Sequence, residues 1–264
     1  MKQIYIAAVS LAIFVILPFG GQAQEPDPLP WHPELPVPGE GSDKPDSELF
    51  AEKAPANEGA FDFCGQSVDL TPWSRQIKLN NELRQISRYS ATLQQRACYY
   101  FPMVEPILEE ENIPEDFKYL MVIESAMNPV ARSGVGAAGL WQFMPGTADD
   151  YGLVVNGRVD ERFHVEKATR AACRYLQDAY AKFGDWVAVA QSYNIGQGRI
   201  NNELSRQQVD DALDLRLVEE TNRYIYRIFA AKIIFTHPID FGLSELPSYY
   251  KKIRQPVRPR KRSR

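Results

Sequence analysis

The chain has 264 residues, of which 44% are hydrophobic and 24% charged, with a formal net charge of −4. These figures exclude a collagen-like, coiled-coil or wholly disordered chain and leave room for a full hydrophobic core. A sequence pI near 5.6 argues against nucleic acid as the main partner, because neutralising phosphates needs a basic face.

Neither apolar residues nor charges are evenly spread. Met1-Lys2-Gln3 precedes an almost unbroken apolar run from Ile4 to Phe19, then Gly20, Gly21, Gln22 and Ala23. A short basic start, an apolar stretch and a small-x-small ending predict a secretory signal peptide over residues 1–23, cleaved after Ala23. An uncleaved anchor is the alternative, but the run is short for a membrane span and carries Pro18 near its end. Export to the periplasm or cell envelope is therefore expected.

Residues 24–60 hold eight prolines and nine acids against Lys44 and Lys53. Such a stretch buries too little apolar surface to offset its ordering entropy, so an extended acidic linker is expected. At the other end, Lys251–Arg264 carries eight basic side chains, no acid, and Pro256 and Pro259. This composition predicts a disordered basic tail over 247–264, suited to an anionic envelope surface. The near-neutral average is therefore a cancellation. The linker sums to −7, the tail to +8 and residues 61–250 to −6.

Between them, 61–246 reads as one mostly helical domain. Ile77, Leu79, Leu83, Ile86 and Tyr89 approximate an apolar stripe. The pattern resumes from Thr92 to Glu110, with Pro102 and Pro106 as potential breaks. Pro114, followed by Glu115 and Asp116, starts a helix through Met127 that Asn128-Pro129 closes. Val154–Val159, with Asn156-Gly157, predicts a small hairpin. Val165–Phe183 is amphipathic and closed by Gly184, and Asp185 caps a helix through Tyr193. A last helix covers Glu219 to Phe235. Cys64, Cys98 and Cys173 are odd in number, and Cys98 and Cys173 read as buried thiols inside helices. His32, His164 and His237 share no metal-ligand spacing with a Cys or acid cluster, so neither metal nor cofactor is expected.

Glu124 is the outstanding candidate for chemistry. It comes seven, four and three positions after Phe117, Leu120 and Met121, which places it on their helix face. It also lies in the helix's last turn. Partial burial and the helix dipole both raise a carboxyl pKa, and a carboxyl protonated near neutral pH can serve as general acid to a glycosidic oxygen. A partly exposed ordinary Glu gives the same pattern. The segments downstream of Glu124 are more distinctive. The small-residue run Ser133–Gly139 lets a backbone pass close to a ligand. Leu140-Trp141-Gln142-Phe143-Met144-Pro145 mixes an amide with stacking faces, which suits a sugar, while Trp141 fits a core position equally well. Ser192-Tyr193-Asn194-Ile195-Gly196 ends a helix with two polar groups and a glycine.

These pieces in this order resemble the family 1, Slt-type, lytic transglycosylases, and within them the membrane-bound lytic transglycosylase D group. The matching segments are Glu124-Ser125, Gly139 through Ala148, Tyr151-Gly152-Leu153, Val159-Asp160-Glu161-Arg162, Ser192-Tyr193-Asn194 and Thr221-Asn222-Arg223-Tyr224. Ser192 stands where Ala is usual and Trp141 where many relatives carry Met. D-group enzymes often append LysM repeats, and here the basic tail stands in their place.

The resemblance implies a mainly α, lysozyme-like fold of the goose-type lysozyme kind with a minor β-hairpin. It implies cleavage of the MurNAc–GlcNAc bond of peptidoglycan, leaving 1,6-anhydroMurNAc ends, with Glu124 as sole acid/base. Substrate-side roles are implied for Ser125, Gln142, Met144, Tyr193, Asn194 and Tyr224. Asp160 and Arg162 read as an ion pair anchoring the loop after the hairpin. A hydrolytic muramidase on the same fold would need a second carboxylate, with Asp149, Asp150 and Asp160 as candidates. A non-catalytic wall-binding protein would have to lack the acid.

Overall fold

The computed structural model describes residues 61–243. The expected signal peptide, acidic linker and basic tail, and the last three residues assigned to the domain, lie outside the described residues. Eight α-helices and one two-stranded sheet form the described part: β1 Phe61–Phe63, β2 Gln66–Val68, α1 Trp73–Ser87, α2 Ser90–Glu110, α3 Lys118–Ser125, α4 Pro145–Asp150, α5 Val165–Phe183, α6 Trp186–Ile195, α7 Gln197–Gln207 and α8 Glu219–Thr236.

The fold is organised around α8. Tyr224, Ile225, Tyr226, Ile228, Phe229, Ala230, Ala231, Ile233 and Ile234 are all buried, so nearly the whole circumference of this helix is apolar and enclosed. Helices α1, α3 and α6 pack directly on it. Helix α5 joins α2 to α6 on the other side of the core. Its ends are set by local chemistry. Its first turn begins after His164, whose Nδ1 accepts from the Lys167 N–H, and Gly184 ends it in the left-handed conformation (φ 63°). Both oxygens of Asp185 then cap the start of α6.

Three sequence expectations need correction. Helix α2 runs unbroken through Pro102 and Pro106. Each proline forfeits one ladder bond, but buried Phe101, Val104, Ile107 and Leu108 hold the helix to the core. The helix expected from Pro114 to Met127 is shorter: a 3₁₀ turn over Glu115–Phe117 precedes α3, which stops at Ser125 because Ala126 and Met127 both turn left-handed (φ 50° and 57°). The only strand pair among the described residues is β1–β2, antiparallel, with Phe61 opposite Val68 and a Cys64-Gly65 turn at positive φ. Val154–Val159 makes only one antiparallel bridge, Val155 to Asp160. There the Asn156 side chain accepts from the Arg158 and Val159 amides, and this local turn replaces a ladder. No disulfide joins Cys64, Cys98 and Cys173. Burial pushes the Cys173 thiol up to about 12 and the Cys64 thiol well above its ordinary range.

Candidate active site

Glu124 stands in the last turn of α3, one residue before the helix ends. Phe117, Leu120 and Met121 on its face are fully buried. The stop at Ala126 is held from outside, since Arg96 of α2 donates to the Ala126 carbonyl at 2.8 Å. The Glu124 carboxyl is half-buried. Its Oε1 accepts a 2.5 Å hydrogen bond from the Tyr224 hydroxyl of α8. Burial pushes its pKa up to about 7, against the downward pull of the Tyr224 bond and the Arg227 guanidinium. A carboxyl with that pKa is divided between acid and base near neutral pH, which a group that must first give and then take a proton requires.

Two tyrosines flank it. Burial raises the pKa of both Tyr224 and Tyr193, and the charge of Glu124 adds to the effect, so both phenols stay protonated. The Tyr193 hydroxyl does not bond Glu124; it donates to the Trp141 carbonyl at 2.9 Å and so ties α6 to the loop after the glycine run.

That loop, 131–144, is folded back on itself by bridges pairing Ala138 with Arg132 and with Phe143. Gly139 makes the fold-back possible. Its φ is +79°, and a Cβ there would lie 1.9 Å from the Arg162 carbonyl oxygen. Arg162, 4% exposed, is the loop's internal strut. It donates from Nη1 to the carbonyls of Gly136 and Phe143, at 2.7 and 2.9 Å, and from Nε and Nη2 to the two oxygens of Asp160, each at 2.8 Å. The Asp160–Arg162 ion pair expected from the sequence is present, but it braces loop 131–144, which comes before the 154–159 turn, and Arg162 holds the Asp160 carboxyl below its usual range.

The other sequence candidates divide by what their polar atoms do. Ser125 donates to the carbonyls of Met121 (3.1 Å) and Leu140 (2.9 Å), stitching the end of α3 to the loop rather than holding the Glu124 carboxyl. Gln142, at φ 48°, donates its amide to the carbonyls of Gly139 (2.7 Å) and Ala131 (3.3 Å). Met144 is partly exposed at the start of α4. Asn194 is buried, and its Oδ1 accepts from the Thr221 hydroxyl at 3.0 Å. Trp141 is fully buried, its indole donating to Thr169 at 3.0 Å, so it is a core residue and offers no sugar platform. Thr169, Glu82 and Arg227 are not among the sequence candidates, and Thr221 is there only as part of the Thr221–Tyr224 segment. Glu82 was detectable by the logic that found Glu124: it lies between Leu79 and Leu83 on the buried face of α1, and it is itself buried.

A half-buried carboxyl poised near neutrality and gripped by a tyrosine, next to a serine that is tied to a glycine-shaped loop, is the expected centre of an acid/base site. Residues 104–214 match the family model described as "Transglycosylase SLT domain". This segment resembles the Slt-type transglycosylase domain. The segment includes Glu124, the loop and Asn194, while Tyr224 comes from beyond it. Over 153 residues the chain is 32% identical to the membrane-bound lytic murein transglycosylase D of Escherichia coli K12, a match covering 56% of this chain and 34% of that enzyme. Over 131 residues it is 30% identical to the soluble lytic murein transglycosylase of Salmonella typhimurium, covering 45% and 20%. The chain thus spans about a third or less of these curated relatives' length. The crystal structure of the 70 kDa soluble lytic transglycosylase Slt70 of Escherichia coli aligns with 68% of this chain and 33% of that one, at a TM-score of 0.48 and 21% identity.

Proposed function

We propose that the chain is an exported lytic transglycosylase that cleaves the β-1,4 bond between N-acetylmuramic acid and N-acetylglucosamine in peptidoglycan glycan strands, with Glu124 as the only general acid and base. The carrying observation is the Glu124 carboxyl, raised to about 7 by burial and fixed by Tyr224. Protonated Glu124 gives its proton to the glycosidic oxygen as the bond from C1 to that oxygen breaks. The resulting carboxylate takes the proton of the muramoyl 6-hydroxyl as that oxygen bonds to C1. The product is a 1,6-anhydromuramoyl end. No water enters, and Glu124 finishes protonated as it began.

A hydrolase on this fold would need a second carboxylate to activate water or bond the sugar. The candidates named from sequence argue against that reading. Both oxygens of Asp160 are committed to Arg162, and Asp149 and Asp150 are exposed on α4. Around Glu124, Gln142 through Oε1 and Asn194 through Nδ2 would bond sugar N-acetyl groups, since their other polar atoms are used internally. Met144 would pack on a sugar face, and Ser125 and Tyr193 would hold the loop that forms the floor. The basic tail, Lys251–Arg264, would make the electrostatic contact with the envelope. No described helix is long and apolar enough to cross a membrane.

Digestion of purified sacculi with mass analysis of the fragments tests the reaction. Glycan ends one water lighter than hydrolysis products are expected. Reducing ends would replace this reading with a muramidase.

A further inference from the structure

Arg227 has no part in the reaction as described, yet its position is unusual. It lies three residues beyond Tyr224 on α8, one turn along the same side of the helix. Its guanidinium is gripped from two directions, by Glu220 Oε1 at 2.7 Å and by Glu82 Oε2 of α1 at 3.3 Å. Glu82 also holds Arg223, whose Nε donates at 2.6 Å. The Glu82 side chain is only 2% exposed, so a buried carboxylate is enclosed by two guanidinium groups.

Joining α1 to α8 does not need such a device, because a buried ion cluster seldom stabilises a packing interface more than apolar side chains of similar volume. Its location gives it another use. The Arg227 charge acts through space on Glu124, whose carboxyl the preceding turn of α8 already holds through Tyr224. Glu82, Tyr224 and Arg227 all lie outside the family-matched segment 104–214.

We propose that Arg227, clamped by Glu82 and Glu220, is a positioning residue that fixes a positive charge beside the Tyr224–Glu124 pair, so that the Glu124 carboxylate is stabilised as the proton leaves for the glycosidic oxygen. Burial alone would leave the carboxyl a reluctant acid and a strong base, and Arg227 restores the balance by stabilising the carboxylate. The groups facing Glu124 are Tyr224 and Arg227 from α8 and Tyr193 from α6. Those facing Arg227 are Glu82 from α1, Glu220 and Arg223 from α8, and Glu124 from α3. The two phenols stay neutral and a guanidinium stays charged across the working range, so the charge set by Arg227 is constant.

This role rests on the acid/base function proposed for Glu124, but its test does not depend on turnover. In the full chain labelled with ¹³C at the glutamate carboxyls, the Glu124 resonance is assigned by its loss in E124Q, and its titration is followed by NMR. R227M is expected to raise the Glu124 midpoint, by less than loss of the Tyr224 hydroxyl does, and R227K to retain most of the original value. The double variant E82Q/R227M removes Arg227 together with its buried partner, so that of the clamp only the partly exposed Glu220 carboxylate remains, and it is expected to show the same rise. The alkaline limb of sacculus turnover should move with the midpoint. An unchanged midpoint in folded R227M or in the double variant overturns the proposal. If the midpoint moves while no variant or wild-type protein cleaves sacculi, the positioning role stands and the assigned reaction fails.

Discussion

The Tyr224 hydroxyl reaches the Glu124 carboxylate at 2.5 Å across a sequence separation of 100 residues. A short bond from a neutral donor to a carboxylate favours the charged form, so it opposes the burial that raises the Glu124 pKa. Helix α3, which carries Glu124, and α8, the helix on which α1, α3 and α6 pack, are joined at the site by this contact.

Removing that contact gives the first prediction. Y224F deletes the donor and keeps the ring. Hydrogen bonds to charged groups contribute about 1.5–3 kcal/mol. The Glu124 midpoint should therefore rise by about one pH unit or more, and turnover should fall at least tenfold near neutrality. A pH–rate profile of the folded variant measures both. An unmoved alkaline limb would mean the bond is not maintained in the working enzyme.

Stability should depend on the same carboxyl. Its pKa is about 7 in the fold against an ordinary 4.5, so the folded state binds more protons than the unfolded chain between those values. The folded state is relatively favoured below about pH 4.5, and that advantage is lost as pH rises through 7. At pH 8 the charged form costs up to about 3 kcal/mol. E124Q should accordingly be more stable than wild type at pH 8, with the gap closing near pH 4. Urea unfolding at the two pH values checks this, and equal stability at pH 8 would show that burial imposes no such cost.

The loop strut is a separate matter. D160A leaves the buried Arg162 guanidinium without its bidentate partner, and breaking such a pair costs about 3–5 kcal/mol. Thermal unfolding should register the loss. R162K should not restore it, because a lysine cannot serve two carbonyls and both carboxylate oxygens from one plane.

Gly139 should tolerate no side chain. A methyl group 1.9 Å from the Arg162 carbonyl oxygen, on a backbone with φ near +79°, forces the loop and the strut apart. G139A should lose several kcal/mol of stability and most activity together, measured by melting and by sacculus turnover. Normal melting with normal turnover would contradict the fit described.

How much of the fold and site was legible in the sequence depends on how local each signal is. Helix α5 was readable to the residue, because its amphipathic stripe, the closing glycine and the Asp185 cap all lie within one window. Glu124 was readable because its burial is encoded three, four and seven positions back. The β1–β2 pair was not, since three-residue strands carry too little alternation and are fixed by Phe63 packing on Phe117 and Phe229. The role of Ser125 was equally hidden, since a serine after the acid looks like a ligand contact but its partner Leu140 is distant in sequence, and for Trp141 the sequence leaves core and ligand roles open until Thr169 is brought against its indole. The Glu82–Arg227 clamp spans 145 residues, and only the assembled fold brings it to the site.

The central claim is that one carboxyl performs both proton transfers. Turnover of purified sacculi by E124Q, with folding verified by thermal melting, tests it most directly. General acid–base catalysis contributes about 10²–10⁴-fold, so a loss of at least about a hundredfold is predicted without loss of stability. Turnover within a few fold of wild type would contradict the assignment of Glu124 and the account built on it.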